Sequence, residues 1–353
     1  MRPSVFLVAV VSVALPFTAA MTLVASAGEG SPTAPASASP RVRPPAGVLR
    51  HVDAPTASPV WVSRGDELVV LVGGYQSCAC PDDGTFNGLR SKLATMPGVT
   101  VIRFGEDPRF PYDTYGSIDR SANALRDEIR ALGDQYAGVH IVTHSMGGVV
   151  ADRAFANGLS RADGVVTYIS WSAPHNGSDA ARGIELARTV AGAPGGALRE
   201  GLLWLRMEPD SPAVRDLARA RATEAPRGIV RLDLREATDV LVTASDARDP
   251  GVPSRILTGA IEGHGGILTD PQALDLTART IATRRVPPDE RSLALRAAAS
   301  AASDQFGDAA LLAVCVLVAA TCLAAVIGRT PMATPYLDAL RRLLPRARRQ
   351  GCP

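Results

Sequence analysis

The segment that most restricts this chain is Val139–Val150, V-H-I-V-T-H-S-M-G-G-V-V. A short apolar, β-branched run ends at His144, and a helix-compatible run begins directly after Ser145. A chain that passes from strand to helix through one residue places that residue on a sharp, strained turn. Only small neighbours suit such a turn. Gly147 and Gly148 supply them on the helix side, whereas Thr143 on the strand side leaves less room. The helix start also directs the amide of Met146 toward whatever reacts at Ser145, where the dipole favours negative charge.

The surrounding sequence repeats this alternation. Glu67–Val72, Val99–Phe104, Gly138–Thr143, Val165–Ser170, Asp239–Thr243 and Ser254–Thr258 read as strands. Phe86–Met96, Ser117–Leu132 and Gly147–Asn157 read as helices, the second with Ile118, Ala122, Leu125, Ile129 and Leu132 at helical spacing. Strands alternating with helices predict an α/β domain with a mostly parallel sheet covered on both faces. A hydrophobic content of 46% supports a sizeable core. The formal charge of +2 excludes the uniformly basic profile of a nucleic-acid binder.

That charge is an average over unlike parts. The run from Val5 to Val24, followed by Ala25-Ser26-Ala27, has the form of a secretory signal with its cleavage site, over residues 1–27. Retention of this run as an anchor is the alternative. Residues 28–58, rich in Pro, Ala, Ser and Gly, are expected to be a disordered linker. After a domain at 59–284 comes a juxtamembrane stalk at 285–308. Ala309–Ile327 then offers nineteen residues with Thr321 alone outside the apolar set. About twenty helical residues cross a bilayer, so 309–328 is expected to be a transmembrane helix. The tail, 329–353, carries six arginines against Asp338, a net +5 that leaves the remainder at −3. The positive-inside rule places this tail in the cytoplasm and the domain outside the cell membrane.

A serine needs a base and an orienting acid to become a nucleophile. Of the five histidines, His51 lies in the linker and His140 inside a strand, where a structural role is expected. His144 adjoins Ser145 and is expected to line the site, as is His175 in a nearby loop; His175 is also the alternative base. His264 sits on a glycine-rich loop, G-H-G-G-I-L, before the last helix and is the expected base. Asp239, 25 residues earlier, is the expected acid, with Asp246 and Asp249 as rivals.

Thr143-His-Ser-Met-Gly-Gly148 resembles the elbow of α/β-hydrolase lipases and esterases. Trp171-Ser-Ala-Pro-His-Asn-Gly-Ser178 is similar to the G-T/A-P-H-x-G-S stretch of bacterial lipases and of GPI-inositol-deacylase-like proteins. The resemblance covers about residues 66–284. It implies an α/β-hydrolase fold in which Asp239 matches the acid of S-A-D-x-I-V in small bacterial lipases, and His264 the base of their G-H-x-G-L/I-L. It also implies that Gly73 stands where the lipase oxyanion loop has histidine, that Gly73 and Gly74 line the site, and that the Tyr75 amide joins Met146 in the oxyanion hole. Chain order Ser, Asp, His agrees with that superfamily. Cys78 and Cys80 follow in the same loop, either as a tight disulfide or as two thiols. The insertion at about 179–228 is placed where lids and acyl-binding walls occur, or else holds packing helices.

The resulting expectation is a membrane-anchored serine esterase or lipase, bound to the membrane through 309–328 and acting on an ester or lipid. No metal, organic cofactor or protein partner is implied. Acyl transfer or thioester cleavage by the same three residues stays open, as does a non-catalytic binding module of the same fold.

Overall fold

The computed structural model describes residues 65–78, 83–191, 210–224, 226–239, 241–243, 246–257, 263–291, 301 and 305. The expected signal segment, linker, transmembrane helix and tail, most of the stalk, and Cys80 lie outside the described residues. Among those described, no helix is long and apolar enough to cross a membrane.

Six parallel strands form one sheet: β1 (Glu67–Val72), β2 (Val99–Arg103), β3 (Gly138–His144), β4 (Val165–Trp171), β5 (Val230–Glu236) and β6 (Ser254–Leu257). Their order across the sheet is β2-β1-β3-β4-β5-β6. The described helices are α1 (Asn87–Leu93), α2 (Ile118–Leu132), α3 (Met146–Ala156), α4 (Asp179–Ala191), α5 (Pro212–Arg219) and α6 (Pro271–Thr283). Every residue of β1, β3 and β4 is buried, as expected when helices cover both faces.

Period-two alternation divides the strands between two cores. Leu68, Val70, Val72 and Ile141 point to one face and pack with Ile118, Ala122, Leu125 and Ile129 of α2 and Val150 of α3. Val69, Leu71, Val142, Ile169 and Leu232 point to the other, against Leu89 of α1 and Ile281 of α6. Each such aliphatic side chain contributes about 1.5–3 kcal/mol on burial, so both faces are firmly specified. At the start of α6, Asp270 accepts the amides of Gln272 (2.7 Å) and Ala273 (2.9 Å), with Pro271 at the first helical position.

One expected strand is displaced. Asp239–Thr243 is not a strand; β5 lies upstream at Val230–Glu236, and Asp239 belongs to the loop that follows. Its sequence, V-R-L-D-L-R-E, hides a strand because Arg231, Asp233, Arg235 and Glu236 are all buried. Charged residues are seldom buried unless paired, so the apolar run after Asp239 is the misleading choice.

The strand order reverses between β1 and β3, which makes the crevice beyond their carboxyl ends the natural ligand site. Ser145 follows β3, and the Gly73–Ser77 loop follows β1.

Candidate active site

Ser145 takes φ 55° and ψ −130° between β3 and α3, and its amide donates to the Trp171 carbonyl at 2.9 Å. This backbone costs on the order of 1–3 kcal/mol and persists because both flanking elements are buried. Gly147 explains how α3 can start there. A Cβ on it would stand 2.3 Å from the Val72 carbonyl oxygen, so any side chain would push the helix off the end of β1. Gly74 is constrained in the same way from the opposite loop, since a Cβ there would meet Ser145 Cβ at 2.8 Å. The residues after β1 are therefore pressed against the serine.

His264 lies in a 3₁₀ turn, Gly263–Leu268, between β6 and α6. Its Nε2 is 2.7 Å from Ser145 Oγ and its Nδ1 is 2.7 Å from Asp239 Oδ2. Asp239 is an acceptor only, so Nδ1 carries the proton and Nε2 accepts from the serine hydroxyl. The fully buried Asp239 also accepts the amides of Leu241 (3.0 Å) and Val242 (2.9 Å). Burial opposes ionisation of Asp239, but His264 and the Val242 amide outweigh it and hold its pKa below the ordinary value. Burial likewise opposes charge on His264, yet the Asp239 carboxylate raises its pKa above the usual imidazole value. The structure thus joins Ser145, His264 and Asp239 in one hydrogen-bonded line.

His144 stacks on His264 with ring centroids 4.8 Å apart, and its Nε2–H donates to the His264 carbonyl at 3.1 Å. Burial, reinforced by the neighbouring His264, depresses its pKa to about 3. It is a neutral strut under the base.

A cavity of about 370 Å³ opens over Ser145, within the usual range for small-ligand sites. Gly74, Tyr75, Gln76, Ser77, Asp83 and Thr85 line it from the chain after β1. Pro174, Ala180, Leu217, Leu241 and Val242 form an apolar wall from the loops after β4 and β5 and from α4 and α5. The loop after β1 is strongly braced: Tyr112 Oη donates to the Gly73 carbonyl (2.7 Å), and Ser77 Oγ to the Gly74 carbonyl (2.7 Å). Cys78 is disulfide-bonded.

Two site-lining expectations need correction. Gly73 borders a separate small cavity behind the loop, with Arg103, Phe104 and Tyr112. His175 does not line the substrate cavity either; it is 1% exposed and belongs to a sealed charged cluster. Its Nδ1 lies 2.5 Å from Asp152 Oδ2, and its Nε2 lies 3.1 Å from Ser170 Oγ, whose hydroxyl donates to Asp233 at 2.5 Å. Both ring nitrogens are therefore donors, and the imidazole is protonated. Burial works against this charge, but Asp152 and Asp233 overcome it and lift the pKa to about 10.

Arg231 bridges Asp152 (3.5 Å) and Asp249 in the same cluster. Atoms of Asp152, His175 and Asp249 able to hold a metal lie within 4.8 Å of one another. The guanidinium already supplies the cation there. The rival acid Asp249 is thus engaged with Arg231. The other, Asp246, accepts the amides of Asp179 (3.2 Å) and Thr243 (3.3 Å). His140, also buried, contacts Thr167 (2.8 Å) and Glu67 (3.2 Å) near the opposite end of the sheet.

Sheet order, elbow and cavity together are those of the α/β-hydrolase fold. A sequence model of the palmitoyl protein thioesterase family matches residues 68–208. No curated protein matches the chain significantly. Among solved structures, the mature form of a Bacillus licheniformis lipase is 14% identical and covers 63% of this chain and 93% of its own, with a TM-score of 0.44. A metagenomic carboxyl esterase is 19% identical, covering 76% and 80%, with a TM-score of 0.44. Aspergillus fumigatus lipase B is 16% identical, covering 78% and 72%, with a TM-score of 0.40.

Proposed function

We propose that this chain is an exported, membrane-anchored serine hydrolase that cleaves carboxylic esters. The observation that carries the reading is the Ser145–His264–Asp239 line, 2.7 Å at each link, at the floor of a cavity. His264 takes the proton from Ser145 as its oxygen attacks the ester carbonyl. The amides of Met146 and Tyr75 hold the developing oxyanion. Collapse breaks the ester bond, and His264 returns the proton to the departing alcohol. Water, deprotonated by His264, then releases the acid from Ser145. Asp239 fixes the imidazole tautomer and stabilises the imidazolium.

Thioester cleavage by the same residues is the second reading, favoured by the family match over 68–208. A fluorophosphonate probe should label the full-length chain, and Ser145→Ala should abolish labelling; labelling that survives the substitution overturns the reading. Matched oxygen and sulfur esters then decide between the two substrates. Anchoring through 309–328 rests on the apolar run and the arginines behind it, and retention of the chain in washed membranes tests it.

A further inference from the structure

The cavity is electrostatically lopsided. Among the described residues that line it, histidines aside, Asp83 alone carries a formal charge. Its carboxylate accepts the amides of Cys78 (3.2 Å) and Thr85 (2.9 Å) and the Thr85 hydroxyl. These are dipoles. Among the described residues no cationic side chain pairs with it, and Arg103, which shares the small cavity behind the loop, is hydrogen-bonded to Asn87 (3.3 Å). A carboxylate held in place by dipoles, with no ion-pair partner among the described residues, turns an acidic group toward the cavity.

Its position bears on the leaving group. In the hydrolytic reading, the atom that departs must lie against His264 Nε2 to receive the proton. The Gly263–Leu268 turn packs against α1, the helix that follows the Asp83 segment: a Cβ on Gly88 would lie 3.4 Å from the Leu268 carbonyl. Leu268, Thr85 and Asp83 line the cavity together. The field of Asp83 also reaches His144, whose ring stacks on His264. The apolar Ala180, Leu217 and Val242 suit an uncharged acyl chain.

We propose, resting on the ester-hydrolase reading, that Asp83 makes this site select substrates whose leaving alcohol or thiol is cationic and discriminate against anionic leaving groups. Chemically, the preferred substrate is an uncharged acyl group on a leaving group that bears an ammonium or similar cation a few bonds from the scissile oxygen or sulfur.

The test uses three hexanoyl esters with the full-length chain: those of choline, of its neutral isostere 3,3-dimethylbutanol, and of the anionic 2-hydroxyethanesulfonate. At low salt, kcat/KM should run cationic, neutral, anionic, with about five- to tenfold between neighbours, and the spread should shrink as ionic strength rises. Asp83→Asn, which keeps the shape and a carbonyl acceptor, should bring the cationic-to-neutral ratio close to one whatever it does to absolute rates. Equal turnover of the three esters, or an unchanged ratio in Asp83→Asn, overturns the inference alone. The salt dependence of the unsubstituted chain decides the matter if that variant does not fold. No turnover of any ester together with no probe labelling at Ser145 overturns the hydrolase reading, and this inference with it.

Discussion

Two histidine–aspartate pairs stand out among the described residues, and their surroundings give the two imidazoles different hydrogen-bonding roles. His264 and Asp239 meet at 2.7 Å beside Ser145, and Ser145 and His264 line a cavity. His175 and Asp152 meet at 2.5 Å with no access to solvent, flanked by Ser170, Asp233 and Arg231. The first imidazole has one carboxylate partner and one nitrogen free to accept. The second has both nitrogens committed as donors and stays charged to about pH 10. A base must be able to give up its proton at working pH, so contact with an aspartate does not by itself make one. His144, held neutral by burial, adds a third imidazole in a third environment.

The comparison breaks first at the serine. Ser145→Ala should lower ester turnover by about 10⁴-fold or more without changing the thermal midpoint appreciably, as steady-state kinetics beside calorimetry would show. Asp239→Asn should cost about 10³–10⁴-fold in kcat with little change in KM, because the imidazole loses its tautomer partner. Asp246→Asn and Asp249→Asn should stay within tenfold on the same assay, a bound taken from the general cost of slight misplacement. His175→Ala should show up as stability. Removing one partner from a buried ionic cluster leaves uncompensated carboxylates, and denaturant unfolding should lose about 3–5 kcal/mol.

Two pH experiments sharpen the contrast. The folded pKa of His175, about 10, exceeds the model-peptide value of 6.5. Its stabilisation is therefore complete below pH 6.5 and declines as pH rises toward 10. Unfolding midpoints should fall over that interval, and His175→Gln should flatten the slope. Asp246 and Asp249, raised to about 6, and Glu128, raised to about 7, lose their own contributions at the acid end of this interval, so the upper part of the slope, toward pH 10, is the part that belongs to His175. For His264 the pKa is raised, so the acidic limb of kcat/KM should have its midpoint above 6.5. His144→Phe removes the donor to the His264 carbonyl, and kcat should fall about tenfold with KM steady.

Ser145 and His264 were legible because each sits at a junction whose local sequence fits few backbones: strand directly to helix, and a glycine-rich turn before a helix. Asp239 was legible by chain order, although its strand was misplaced. β5 was hidden because Arg231 and Asp233 look like surface residues until Asp152 and His175 are seen opposite them. That cluster is assembled from residues up to 97 positions apart, Asp152 through Asp249, and no local pattern signals it. Nor did anything mark Asp83, whose importance depends on which cavity it borders and which cations stay away.

Arg284, at the end of α6, binds Glu67 Oε1 at 2.5 Å, and Glu67 is the first residue of β1. In register, Glu67 stands beside Gly138, the first residue of β3, whereas Ser145 follows the last. Seven residues at about 3.3 Å each separate these levels by about 23 Å. The chain therefore leaves α6 at the end of the sheet opposite the serine. In the anchored arrangement proposed above, the chain that runs on toward the anchor starts from the end of the sheet away from the serine.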